Sequence, residues 1–192
     1  MIKLRVVNVD TEIIEKLRRD DLSTKMKSLE FCKFLVIEEE NGKIIGASGI
    51  GGIVNNHSII INDEKQGKGL GLKLFRKNIE ESKRRGYNYI TSSRNPKNIA
   101  MTKLHEACNF KPLLRINYSP EIVSEAHILP LNSKGRIIQK LLGFFNTKFG
   151  FIVLAILLKS MKSQFGSILT LSTEEFEEPN FRYIVSHFKK YK

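Results

Sequence analysis

The chain has only two cysteines in 192 residues, Cys32 and Cys108, far apart and without a CxxC pair. That excludes a disulfide framework and a thiolate zinc centre, and it suits a reducing compartment; no metal site is expected. An apolar leader is also missing, because Met1-Ile2-Lys3-Leu4-Arg5-Val6-Val7 alternates as a strand does. The expected location is the cytoplasm. Long apolar runs are absent too. The most apolar part, Leu141 to Leu158, is broken by Asn146-Thr147-Lys148 and falls short of the ~20 residues of a spanning helix. There is no internal repeat, no GxxxxGK[ST] phosphate loop and no GxGxxG fingerprint in its proper register. Acidic residues are few, 20 against 32 Lys and Arg, for a net charge of +12. Such a charge suits an anionic partner without choosing one. The excess is spread, 22 against 14 before Ser119 and 10 against 6 after it. With no basic arm and no recognisable RNA motif, nucleic acid is not an expected partner.

What is present reads as one folded α/β chain, with 41% hydrophobic and 27% charged residues. Ile2 to Val9 alternates as a strand, and Asp10-Thr11 can cap a helix carrying Ile13, Ile14 and Leu17. A second helical stretch is expected over Asp21 to Leu29. Asn41-Gly42 between Phe34–Glu38 and Lys43–Ser48 signals a hairpin with a primed turn. A strand is expected from Ser58 to Asn62, a helix from Leu70 to Arg85 stopped by Gly86, and a strand from Tyr87 to Ser92. Asn98 to Cys108 follows as a helix and Phe110 to Tyr118 as a strand. The order implies a mixed, mostly antiparallel central sheet flanked by helices, with an extra C-terminal helical segment. Lys134 to Met161 reads as helix, Ser167 to Ser172 as a returning strand that closes the sheet, and the residues from Asn180 as a helical tail. Glu38-Glu39-Glu40 reads as a solvated hairpin end.

The chemistry concentrates between Ile59-Ile60-Ile61 and Leu70. There Gln66-Gly67-Lys68-Gly69-Leu70-Gly71 places glycines at the start of a helix. Glycine permits close approach of backbone to ligand, and the free N–H groups with the positive dipole end favour an anion such as a diphosphate. Lys68 or Lys73 can add charge.

A second motif, Asn98-x-x-Met101-x-x-Leu104-His105-Glu106-Ala107-Cys108-Asn109-Phe110, stands downstream. Together the two motifs resemble the GNAT superfamily of N-acetyltransferases, which pairs [Arg/Gln]-x-x-Gly-x-[Gly/Ala] with Asn-x-x-Ala-x-x-Leu-Tyr-x-x-x-Gly-Phe. Met101, His105 and Asn109 depart from that pattern. The resemblance covers about Ile2 to Tyr118, so residues 1–118 are expected as the acyl-CoA-binding core and 119–192 as an extension that packs on it and completes the sheet.

The resemblance implies direct transfer of an acetyl or other acyl group from acetyl-CoA to an amine, on a small molecule or a protein. Gln66, Gly67, Lys68, Gly69, Leu70 and Gly71 would hold the pyrophosphate. Ile60 and Ile61 would border the pantetheine, with the Ile61 backbone N–H polarising the thioester carbonyl. Asn98, Leu104 and His105 would complete the cofactor site. His105 stands where the family often has a tyrosine that protonates the leaving thiolate, and an imidazole there can donate a proton or orient the sulfur. His57 and Glu64 are candidate bases, with water as the alternative. Ser92, Ser93 and Arg94 are candidate cleft-lining residues. The other class of function is a non-catalytic acyl-CoA sensor that keeps the cradle and lacks proton-transfer groups. The apolar segment 141–158 suits a buried helix, a homodimer contact, a lid over the acceptor site or a peripheral membrane contact.

Overall fold

Asp10 ends the first strand and starts the first helix. In the computed structural model, β1 spans Ile2–Asn8, and the Asp10 carboxylate accepts the Ile13 N–H at 2.9 Å to cap α1, Thr11–Arg19. The structure describes residues 2–117, 122–160, 170–172 and 184–186. The chain divides into two units, Met1–Ser92 and Ser93–Lys192.

In the first unit the expected second helix is broken. α2 covers only Leu22–Lys25, Met26 leaves the helical region at φ −143°, and a 3₁₀ turn follows over Lys27–Phe31. β2 (Cys32–Glu40) and β3 (Lys43–Gly51) form the hairpin, with Asn41 and Gly42 both left-handed at φ 52° and 82°. β4 spans Asn56–Ile61, and α3 spans Leu70–Arg84. β1, β2, β3 and β4 pair antiparallel in that order. β5 (Tyr89–Arg94) joins β4 in parallel through a single bridge, Asn56↔Thr91. Leu17, Leu22, Leu29, Leu35 and Ile37 fill the core beneath α1 and α2. Leu74 and Phe75 of α3 are fully buried as well.

Glu38, Glu39 and Glu40 are not a solvated end. Glu38 and Glu39 are buried, and the three carboxylates are held by Lys73 at 2.9 Å, by Arg5 at 2.8 Å together with Lys16, and by Lys65. The run thus ties β2 to β1, α1, α3 and the segment after β4. The basic run at the end of α3 caps its own helix. Arg84 and Arg85 both bond the buried Glu81, whose carboxyl the Arg84 hydrogen bond holds down at about 2.

In the second unit, α4 (Ile99–Ala107) is followed by β6 (Lys111–Asn117). Asn109 is left-handed at φ 59°, the conformation that the glycine of the family pattern supplies. Its N–H bonds Glu106 O and that of Phe110 bonds His105 O, both at 3.0 Å, which closes the helix with two reversed bonds. The strand completing β6 is β7, Val123–Pro130, antiparallel to it. This corrects the expectation that Ser167 to Ser172 closes the sheet. The strand is hidden in the sequence because two of its buried positions are Glu125 and His127, which inverts the usual polarity. The long helix is also divided, into α5 (Ser133–Gly143), a 3₁₀ turn at Phe144–Asn146, and α6 (Lys148–Ser160); Met161 lies outside the described residues. The helical segment follows the closing strand rather than interrupting the sheet. Of the last expected elements, Thr170–Ser172 is a strand, β8, and pairs with β9, Ile184–Ser186. β9 lies parallel to β6, so it replaces part of the expected helical tail, the rest of which is outside the described residues.

Candidate active site

In the first unit a candidate site is built where β4 gives way to α3. Asn62 caps a short 3₁₀ turn, Asp63–Lys65, by accepting the Glu64 N–H. The Gln66 amide then folds back to Ile61 O at 3.2 Å and Asp63 Oδ1 at 2.9 Å. Its side chain therefore shapes the loop. Gly67 and Gly69 are left-handed at φ 75° and 77°, and a Cβ at either would meet nothing within 4 Å. These two positions need glycine for their backbone angles, and the space before them is open. Gly69 is the N-cap of α3 and no side chain caps that end. The first N–H groups and the dipole of a 15-residue helix thus face open space, where an anion is favoured.

Gly71 differs from these two. It is not left-handed, and a Cβ there would rest in ordinary contact 3.8 Å from Ile59 Cδ1, so neither backbone angle nor space requires glycine at this position. A cleft beside the helix start is lined by Glu38, Glu40, Lys65, Lys68, Gly69 and Lys73. Lys65 and Lys73 are committed to Glu40 and Glu38. Lys68 donates to the Glu64 carbonyl at 3.2 Å, a neutral partner, and keeps its charge for the cleft.

The single bridge between β4 and β5 gives the second feature. Thr91 N–H bonds Asn55 O at 3.1 Å, and past Asn56↔Thr91 the two parallel strands diverge. The register with β3 then decides which β4 amides face the opening. Asn62 N–H bonds Ile45 O at 2.9 Å, so Ile60, which pairs with Ala47, also directs its N–H to β3. The intervening amides, Ile59 and Ile61, point the other way. Of the two candidates Ile60 and Ile61, the latter presents its N–H on the diverging edge.

His57 lies on the opposite side of β4 from Ser58 and Ile60, beneath α3. It is 5% exposed, its Nε2 is 2.9 Å from Ser48 Oγ, and its ring centroid is 4.0 Å from that of Phe75. Asn78 Nδ2 donates to the same Ser48 oxygen at 2.9 Å. This buried trio joins β3, β4 and α3. Glu64 is exposed.

In the second unit, Asn98 caps α4, its Oδ1 accepting the Met101 N–H at 3.1 Å. Leu104 and His105 are buried. His105 stacks on Phe110 with centroids 4.5 Å apart and meets the edge of His127 at 4.7 Å. The helix-ending bonds that bring Phe110 back to His105 therefore fix the imidazole as well. Burial first, then His127 and Arg94, depress the His105 pKa to about 3. His127 is pushed down to about 4 by burial and Arg94. Both rings are neutral at neutral pH. Arg94 is committed to Glu125 at 2.9 Å rather than left to line a cleft, and Arg115 bonds the other oxygen of that buried carboxylate at 2.6 Å. Nothing in the sequence motifs singles out His127 or Glu125; a histidine and a glutamate two residues apart in a strand-length segment are their only signal. The cysteines are packing groups: both are buried, and burial raises the Cys32 thiol to about 12. Among the described residues no cluster of side chains could hold a metal ion.

These features agree with the comparisons to known proteins. Residues 6–110 match the acetyltransferase (GNAT) family. Over 84 residues the chain is 30% identical to the L-methionine sulfoximine/L-methionine sulfone acetyltransferase of Salmonella typhimurium, a match covering 40% of this chain and 49% of that one. The chain thus spans about half the length of the curated relative it matches. A Salmonella typhimurium protein assigned as an acetyltransferase and solved with acetyl-CoA has a similar fold, at a TM-score of 0.53, with 20% identity, 69% of this chain and 95% of that one covered. The ribosomal-protein-S18-alanine N-acetyltransferase of Escherichia coli gives a TM-score of 0.55 with 16% identity, over 68% and 95% of the two chains. A mixed, mostly antiparallel sheet flanked by helices, a glycine-started α3 and a diverging β4 edge are what that family match predicts, and the chain belongs to the acetyltransferase (GNAT) family.

Proposed function

We propose that this chain transfers an acetyl group from acetyl-CoA directly to the amine of an acceptor. The observation that carries the reading is the single-bridge divergence of β4 from β5, with the Ile61 N–H on its edge and the uncapped α3 start after it. The open space before Gly67 and Gly69 fits a diphosphate, and the residues that would hold it are Gln66 to Gly71 through their backbone. Acetyl-CoA supplies the activated acetyl group. Ile61 N–H would donate to the carbonyl oxygen as charge grows there, with Ile60 packed behind that strand.

With its pKa near 3, His105 carries no charge at neutral pH, so proton delivery from an imidazolium at this position forms no part of the proposal. His57 is engaged with Ser48 and packed on Phe75, and water is the better candidate to take the proton of the amine.

The acceptor class is best searched from the groups named for the relatives, L-methionine sulfoximine, L-methionine sulfone and the alanine of ribosomal protein S18, beside simple alkylamines. The test is calorimetric titration with acetyl-CoA followed by free-thiol release in the presence of each amine. Binding with amine-dependent thiol release is expected. Binding without release from any amine would favour a sensor, and absence of binding would remove the whole assignment. The reading places the chain in the cytoplasm, where acetyl-CoA is available.

A further inference from the structure

The C-terminal helices carry an exposed surface that is both basic and apolar. From Ala126 to Thr173 the sequence contains no aspartate or glutamate, while Lys134, Arg136, Lys140, Lys148, Lys159 and Lys162 fall within it. Glu125, just before the stretch, is buried and already held by Arg94 and Arg115. Lys134, Arg136, Lys140 and Lys148 are exposed.

The apolar residues between these cations are exposed too. On α5 and the 3₁₀ turn after it, Ile137, Leu141 and Phe144 recur at i, i+4 and i+7 and are 60%, 64% and 39% exposed. On α6, Phe149, Ile152 and Ile156 recur at i, i+3 and i+7 and are 68%, 48% and 62% exposed. A helix on a globular protein turns such a stripe inward. Here both stripes face solvent, and the core takes other residues of the segment, Gly135, Gly150 and Phe151.

We propose that α5 and α6 form a docking face for an anionic lipid bilayer. The charge decides the occupant. A second copy of this chain would bring two rows of cations together with no carboxylate in either stretch to offset them. A nucleic acid would take the cations and leave exposed isoleucine, leucine and phenylalanine without a partner. An anionic bilayer takes both: the lysine and arginine heads sit at the phosphate level while the aliphatic and aromatic side chains enter the acyl boundary. No single helix among the described residues is long and apolar enough to cross a membrane, and the segments Ser133–Asn146 and Lys148–Leu154 meet at 87°. Only taken together do these two segments reach the length and apolarity of a span, and with a bend of 87° between them the proposal is a contact with the bilayer surface. The proposal is independent of the acetyl-transfer reading.

Co-sedimentation of the full chain with vesicles tests it. Vesicles containing phosphatidylglycerol should bind the chain at low salt, vesicles of phosphatidylcholine alone should not, and added salt should release it. Lys134→Gln, Lys140→Gln and Lys148→Gln lie on exposed positions and should each weaken binding roughly fivefold. Leu141→Ser with Phe149→Ser should weaken it roughly tenfold or more at unchanged salt dependence. Circular dichroism and the thermal midpoint verify that each variant is folded. Absence of binding to phosphatidylglycerol vesicles would overturn the proposal, as would Gln variants that bind like the parent. A dimer in sedimentation equilibrium that Leu141→Ser dissociates would identify a second copy as the occupant and overturn it as well.

Discussion

At the scale of the residue, the three glycines of the α3 start do different work and should respond differently to substitution. Gly69 is left-handed and borders open space, so Gly69→Val meets backbone strain of roughly 1–3 kcal/mol and puts a branched side chain where an anion would sit. Acetyl-CoA affinity should fall at least roughly tenfold, read by calorimetry, since a lost charge-assisted bond alone is worth that much. Gly71 is helical and has room for a methyl group against Ile59 and Ile61. Gly71→Ala should raise stability by about 0.5–1 kcal/mol through helix propensity and leave affinity nearly unchanged. A Gly69→Val chain that binds normally would separate the loop from the co-substrate. The histidine pair makes a second prediction. Burial depresses His105 to about 3 and His127 to about 4, so between those values and the ordinary ~6.5 the unfolded chain binds more protons than the folded one. Stability is full above pH ~6.5 and is lost as pH falls through that window, with a slope of at most about 1.4 kcal/mol per pH unit for each ring. His127→Gln should flatten the fall in denaturant-unfolding stability between neutral pH and pH ~4; an unchanged slope would mean that His127 is not held neutral by burial.

At the scale of the element, β4 serves two functions on two sides. One edge diverges from β5 and presents the Ile61 amide, while one face sends His57 to Ser48 and Asn78 beneath α3. Ser48→Ala takes a bond from both His57 and Asn78, and it should cost about 1–3 kcal/mol in chemical denaturation. Turnover per folded molecule should be retained, because the trio ties elements together rather than moving the reacting proton. A collapse of turnover at retained stability would return His57 to the role of base. Sequence periodicity made most of these elements legible. Asp10, Asn41-Gly42, Gly69, Gly86 and Asn98 all carry local chemistry that fixes where a helix or turn begins or ends, and the structure places the boundaries beside them. Two other features were not legible because they rest on distant partners. β7 buries Glu125 and His127, whose fit depends on Arg94, Arg115 and His105 from other elements. Glu38 to Glu40 read as solvated because their cations lie on β1, α1, α3 and the segment after β4. The divergence of β4 and β5 is a matter of pairing that no single segment encodes, and it was implied only by the family resemblance.

At the scale of the whole molecule, the charge of +12 would serve both the proposed co-substrate capture and the proposed lipid face, and the two can be told apart. Many cations of the first unit are already neutralised locally: Arg5, Lys16, Lys65, Lys73, Arg84 and Arg85 each hold a carboxylate. The local attraction at the α3 start therefore rests on backbone amides and Lys68, while the remaining cations contribute a diffuse field. A diffuse field accelerates encounter with a polyanion and is screened by salt, whereas amide hydrogen bonds at a fixed helix start are screened much less. Raising ionic strength from about 0.05 M to about 0.5 M should therefore slow acetyl-CoA association roughly tenfold in stopped-flow measurements, while dissociation changes by less than about twofold. Lys68→Gln should speed dissociation, because it removes a charge beside the cradle. Lys140→Gln should leave dissociation unaltered, because its charge acts only at long range. If salt acts mainly on dissociation, the anion is held by side-chain charge and the helix start of α3 is not the principal cradle.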